Sequence, residues 1–118
     1  MRKNPTKPPT TIVVDYDTYY LLFDFEAIAD AEDLTGRPLL TGLSKKDITT
    51  PTVSLVRSML FACVHANHPK LTYEQVKALV TRDNLAEVWG KVLEAWTAGL
   101  AEPEPEAIAE ENPTEGQS

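Results

Sequence analysis

Apolar and polar positions divide the chain into three stretches of different character. Residues 1–10 hold three prolines, three bases and no large apolar residue after Met1. Such a stretch buries too little surface to offset the entropy of ordering it, so a flexible, basic, Pro-rich arm is expected. From Thr11 to Leu100 the apolar residues recur with the short periods of folded elements. Beyond Leu100 the sequence turns to Glu102-Pro103-Glu104-Pro105-Glu106, then Glu110-Glu111 and Pro113, a self-repelling composition read as an acidic disordered tail over 101–118. Ala107-Ile108-Ala109 within it has the makings of a weak docking segment. One domain over 11–100 is the resulting expectation.

Within that domain, Thr11-Ile12-Val13-Val14-Asp15 and Tyr19-Tyr20-Leu21-Leu22-Phe23 are β-branched and aromatic runs separated by Tyr16-Asp17-Thr18, which suits a β-hairpin. Alternation puts Ile12 and Val14 on one face. The matching face of the second strand is either Tyr19, Leu21 and Phe23 or Tyr20 and Leu22. An isolated hairpin is marginal, so helices must cover one side of it. The hairpin edge itself stays available for pairing with another copy.

Asp24 then reads as the cap of a helix over Phe25 to about Leu34, with Gly36 as its left-handed end and Phe25, Ile28, Ala29, Ala31 and Leu34 as its apolar side. Pro38 stops that helix, and 37–43 is a connector with buried leucines, at most one helical turn, followed by an exposed polar segment from Ser44 to Asp47. A second helix starts near Pro51 or Thr52 and runs to about Asn67, where His68-Pro69 ends it. Val53, Val56, Leu60, Cys63 and Val64 give it a core stripe, widened by Leu55, Met59 and Phe61. Thr72-Tyr73-Glu74-Gln75 is a capping box with Leu71 placed to staple onto Val76, so a third helix begins at Tyr73 and ends near Arg82. Asn84 repeats the cap logic for a last helix along Leu85, Val88, Trp89, Val92, Trp96 and Leu100, with Gly99 as its end. The fold class is α+β: an N-terminal β-hairpin packed on a bundle of about four helices, with disordered ends.

Composition sharpens this outline. The 118 residues, 42% hydrophobic and 25% charged, suffice for one core and exclude a multidomain enzyme. Six of the eighteen acids lie in the tail, which holds no base, so the rest of the chain is nearly neutral despite a net charge of −7. No basic stripe offers itself to phosphates, and a nucleic-acid partner is not expected. The single Cys63, set in an apolar run, suits a reducing compartment, and no apolar stretch approaches a membrane span or a leader peptide.

Candidate chemistry is sparse. Cys63, His65 and His68 form C-x-H-x-x-H, and the two histidines would share a helix face, but no fourth ligand pairs with them; a place at a helix C-terminus explains the histidines as well. Asp15, Asp17, Asp24 and Glu26 resemble a calcium loop only until its fifth and sixth positions, which are Tyr19 and Tyr20. Turns and caps account for these carboxylates. No phosphate loop, nucleophile elbow or catalytic triad is recognisable, so neither enzyme activity nor a cofactor or metal is expected. A helix-turn-helix is disfavoured because its second helix would present Glu87 and Glu94 against Lys91 alone. Trp89, Val92 and Trp96 lie on one helix face and are either core or a groove for a partner helix; they are the candidate partner-binding residues.

Two blocks carry a resemblance. Tyr20-Leu21-Leu22-Phe23-Asp24-Phe25-Glu26-Ala27-Ile28 with Glu32-Asp33-Leu34-Thr35-Gly36-Arg37-Pro38-Leu39, and Leu60-Phe61-Ala62 with His68-Pro69-Lys70-Leu71-Thr72-Tyr73-Glu74-Gln75-Val76, resemble the small tail assembly chaperones of long-tailed phages and phage-like gene transfer agents. The likeness spans roughly Val13 to Leu100 and does not extend to the arm or the tail. It implies a non-enzymatic phage tail assembly chaperone that binds the tape measure protein and keeps it soluble until tube subunits polymerise around it. It also implies action in the host cytoplasm during assembly and absence from the mature particle. Tail tube subunits are a further expected partner. The alternative is a minor structural tail protein, a tube or connector subunit, retained in the particle.

Overall fold

The computed structural model describes residues 9–101. The expectations for residues 1–8 and 102–118 lie outside them. The element order is β1 (Thr10–Val14), β2 (Asp17–Leu21), α1 (Phe25–Thr35), α2 (Lys45–Thr49), α3 (Val53–His65), α4 (Tyr73–Leu79) and α5 (Leu85–Ala101). This is the expected α+β arrangement of a hairpin on a helical bundle.

The hairpin is tighter than its composition suggested. Val14 pairs with Asp17, so the connection is the two residues Asp15 and Tyr16, both at positive φ (53° and 73°). That is the turn whose twist matches paired strands; without glycine there, the sequence ended the first strand one residue late and began the second two residues late. Ile12 faces Tyr19, and Ile12, Val14, Leu21 and Phe23 are buried while Tyr19 packs against the same core. The first of the two alternation choices is therefore the real one. The opposite face, with Val13 and Tyr20, is exposed.

Helix α3 is the centre of the molecule. It packs against α1, α4, α5 and β2, and Leu55, Val56, Met59, Leu60, Ala62, Cys63 and Val64 are all buried. Its one buried polar side chain, Ser58, lies 3.4 Å from the Tyr73 hydroxyl of α4, so the hydroxyl pair satisfies itself inside the core. Val53, expected on this stripe, is exposed instead, because it occupies the first turn, beyond the reach of the neighbouring helices. Thr52 caps the helix, accepting from the Leu55 amide at 3.0 Å.

Caps define most other boundaries. Asp24 Oδ1 accepts from the Ala27 amide at 2.9 Å, and Gly36 ends α1 in the left-handed region at φ 69°. Only Ala27, Ile28 and Ala31 of α1 are buried. Phe25, Ala29 and Leu34, expected inside, are exposed, since a single neighbour, α3, covers too narrow a strip of the helix to reach them. The polar segment after the connector forms a helix of its own, α2, capped by the Ser44 hydroxyl on the Asp47 amide. The Thr72–Gln75 capping box is present in both directions.

α4 stops at Leu79 rather than near Arg82, because Val80 leaves the helix for extended backbone. The Asn84 amide donates to Thr81 Oγ1 at 3.3 Å, while the Thr81 amide donates to Asn84 Oδ1 at 2.8 Å. This reciprocal pair closes the turn ahead of α5; Asn84 stands immediately before the helix and its carbonyl accepts the Val88 amide at 2.9 Å, while its side chain turns back to the Thr81 amide and the Leu79 carbonyl. α5 then continues through Gly99 to Ala101. Gly99 serves packing instead of termination: a Cβ there would run into the Phe23 carbonyl oxygen and lie 2.9 Å from the Phe23 Cβ.

Candidate functional site

The residues proposed for partner binding sit inside the protein. Trp89 is 6% exposed, Trp96 7% and Val92 fully buried. Each indole N–H is also spent on the fold: Trp89 Nε1 donates to the Ile48 carbonyl at 2.9 Å and Trp96 Nε1 to the Leu39 carbonyl at 3.3 Å. The two tryptophans of α5 thus pin the long connection between α1 and α3 at two points. Of the two roles open to this face, it takes that of core.

The C-x-H-x-x-H set is dispersed in the same way. α3 ends at His65, so His68 lies beyond the helix and the two histidines do not share a helix face. His65 is exposed with its ring 5.5 Å from Phe61. His68 accepts the Tyr20 amide on Nε2 at 3.0 Å and stacks on the Tyr20 ring at 6.0 Å between centroids. Cys63 is fully buried, and that burial pushes its thiol well above the ordinary range, leaving it unreactive in the folded state. Its carbonyl takes the Leu22 amide at 2.7 Å. Together these two bonds occupy the outer edge of β2, which would otherwise present free amides.

The carboxylates also have separate duties. Asp24 caps α1, Asp15 forms the hairpin turn and Asp17 starts β2. Burial, with the nearby charges of Asp17 and then Asp15, pushes the Tyr19 phenol up. Among the described residues no group of three or more His, Cys, Asp or Glu side chains is placed to hold a metal ion, and no helix is long and apolar enough to cross a membrane.

What the surface does offer lies elsewhere. Val13 (58% exposed) and Tyr20 (43%) lie on the outer face of the hairpin, and Phe25 is exposed at the start of α1. A cleft of about 320 Å³ lies between the first turns of α3 and the α4–α5 junction, lined by Val53, Arg57, Val80, Thr81, Arg82 and Leu85. Arg57 reaches the Val80 carbonyl through one terminal nitrogen at 3.4 Å, while its Nε is buried without a hydrogen-bond partner. Nothing in the sequence pointed to this cleft, because Arg57 and Arg82 are 25 residues apart and neither stands in a charged run.

No protein-family model, curated protein or solved structure matches this chain.

Proposed function

We propose that the chain is a phage tail assembly chaperone, a non-enzymatic protein that binds the tape measure protein in the host cytoplasm and keeps it soluble while tail tube subunits assemble. The resemblance of its two sequence blocks to that family carries the proposal. One hydrogen bond joins the two blocks in space, the Tyr20 amide on His68 Nε2 at 3.0 Å. Glu32, Gly36 and Leu39 of the first block form one hydrogen-bonded unit: the Glu32 carbonyl takes the Gly36 amide and its carboxylate takes the Leu39 amide at 2.8 Å. Residues quoted for the resemblance thus also hold this fold together.

A long helical partner exposes an apolar stripe that aggregates unless covered. With Trp89 and Trp96 interior, the surface offered to it is the outer hairpin face, Val13 and Tyr20, with Phe25 beside the end of β2. Co-expression with the longest helical open reading frame encoded just downstream, followed by affinity capture, tests the proposal. Soluble, co-purified partner is the expected result, and Val13→Glu should weaken capture with the melting temperature little changed. A partner that stays insoluble in both cases, or is soluble alone and does not bind, rejects it. Recovery of this chain from purified particles by mass spectrometry would favour a structural tail protein instead.

A further inference from the structure

The exposed apolar side chains of this protein and its acids share one part of the chain. Among the described residues, Val13, Tyr16, Tyr20, Phe25 and Leu34 are five of the seven large apolar residues left exposed, and all five belong to the hairpin or α1. Residues 10–36, which form those elements, hold seven acids and no lysine or arginine, whereas residues 37–101 hold eight bases to five acids. The nearly neutral balance ahead of the tail therefore hides an acidic half. Water covers carboxylates well and apolar surface poorly, so finding both exposed together selects a partner that brings apolar area and positive charge at once.

Topology brackets the apolar part with acid. Val13 pairs with Thr18 and Thr11 with Tyr20, so Val13 and Tyr20 are diagonal neighbours on the outer face of the hairpin. At one end of β2 stands the turn with Asp15 and Asp17. Past the other end, four residues after Leu21, α1 opens with the exposed Phe25 and carries Asp30 and Asp33 on the side away from the buried Ala27, Ile28 and Ala31. Asp24 and Glu32 are committed to the fold, as cap and as acceptor for the connection. Among the described residues none of Asp15, Asp17, Asp30 and Asp33 takes part in an ion pair, whereas Asp47, Glu74 and Glu94 each do. We propose that the outer hairpin face, with the exposed side of α1, docks a basic amphipathic helix of the partner. Its apolar stripe lies on Val13, Tyr20 and Phe25, and its flanking lysines or arginines meet the acids of the turn and of α1. The inference rests on the surface assigned above to the tape measure protein and adds the charge of the segment that binds there. A second copy would bring acid against acid. The chain ahead of β1 is basic but has no large apolar residue after Met1, so it supplies charge without a stripe.

The test titrates a fluorescent peptide into the full chain. The peptide consists of leucine and lysine, roughly five helical turns long, with its leucines at helical spacing. One control keeps the composition and scrambles the spacing; another replaces lysine by glutamate. The first peptide should bind, and each control should bind about tenfold more weakly or worse. Val13→Ser should weaken binding severalfold. Asp30→Lys with Asp33→Lys should weaken it about tenfold, and since bases suit the C-terminal half of a helix the melting temperature should hold. Asp83→Lys with Glu87→Lys makes the same change in net charge at the α4–α5 junction and should leave binding within about twofold. Absence of binding overturns the proposal, as do equal binding of the glutamate control and an ineffective Val13→Ser. Equal weakening by the two lysine pairs also overturns it, because the attraction would then be one of net charge alone. If the proposal falls while the downstream partner is still captured, the chaperone reading stands without it; peptide binding with no capture supports this surface and rejects that reading.

Discussion

Helix α3 and the connection from Gly36 to Thr52 lie against the same core but are held there by different forces. α3 is held by area: its seven buried apolar residues each remove surface from water, and its one buried polar residue, Ser58, is matched by Tyr73. The connection has one fully buried large side chain, Leu39, with Leu43 packed partly against the core, and is otherwise held by hydrogen bonds, most of them from its neighbours, and by one ion pair of its own. Glu32 takes the Leu39 and Leu40 amides, Trp96 and Trp89 donate to the Leu39 and Ile48 carbonyls, and Arg37 pairs with Asp47 at 2.9 Å. Hydrophobic burial is diffuse and cooperative, whereas these ties are few and individually removable. The connection should therefore open more readily than α3, as a unit of its own.

The largest effect expected is in α3. Leu60→Ala should cost about 2–5 kcal/mol in a denaturant melt, the usual toll of a cavity in a packed site. Its sharper use is in comparing two exchange rates. Cys63, unreactive while buried with a raised pKa, is labelled by a thiol reagent only when the core opens. Leu60→Ala should speed that labelling by at least tenfold and leave hydrogen exchange at the Leu39 and Leu40 amides unchanged. Equal acceleration at both would mean that the connection and α3 open together, and the distinction drawn between them would fall.

Glu32→Ala comes next, at about 1.5–3 kcal/mol, because a carboxylate that accepts two amides is replaced by a group that accepts none. This change weakens the native state against every form of opening, so both Leu39 exchange and Cys63 labelling should rise. Glu32→Gln keeps one acceptor oxygen and should recover part of the loss. A Glu32→Ala protein with wild-type stability would show that water replaces the carboxylate at no cost.

These two regions also differ in how far the sequence disclosed them. The period of Val56, Leu60, Cys63 and Val64 announces a buried helix, because burial by area leaves a repeating trace in residue type. The hairpin, α1 and the Thr72 capping box were legible for the same kind of reason, each being a local pattern. The ties of the connection leave no such trace: nothing about Trp89 reveals that its indole N–H meets a carbonyl 41 residues away. Hence Trp89, Val92 and Trp96 could stand equally for core or for a partner's groove. Asn84 was legible as the residue before α5, but only the reciprocal bonds show that its side chain turns back to Thr81. The Arg57 cleft was hidden because it is assembled from elements distant in sequence.

Trp89→Phe separates the two forces within one residue. The ring still fills most of its space, while the Ile48 carbonyl loses its donor, so a cost of about 1–2 kcal/mol is expected. Exchange should quicken around α2. Were Trp89 held by area alone, the substitution would be nearly silent and α2 would exchange as before.

The smallest effect belongs to Arg37, and it tests whether the outermost tie matters. Its Nε lies 2.9 Å from Asp47, but the arginine side chain is 36% exposed and the aspartate 20%, so solvent screens the pair and the gain is discounted accordingly. A second terminal nitrogen donates to the Thr35 carbonyl at 3.2 Å, beside the end of α1. Arg37→Met preserves much of the aliphatic stem and removes both bonds, for an expected loss under about 1 kcal/mol. That loss should shrink further in high salt, since a partly exposed ion pair is screened where the neutral N–H to carbonyl bond of Trp89 is not. A loss as large as that of Glu32→Ala, or one indifferent to salt, would place Arg37 among the interior ties and extend the polar-held region out to the surface of the protein.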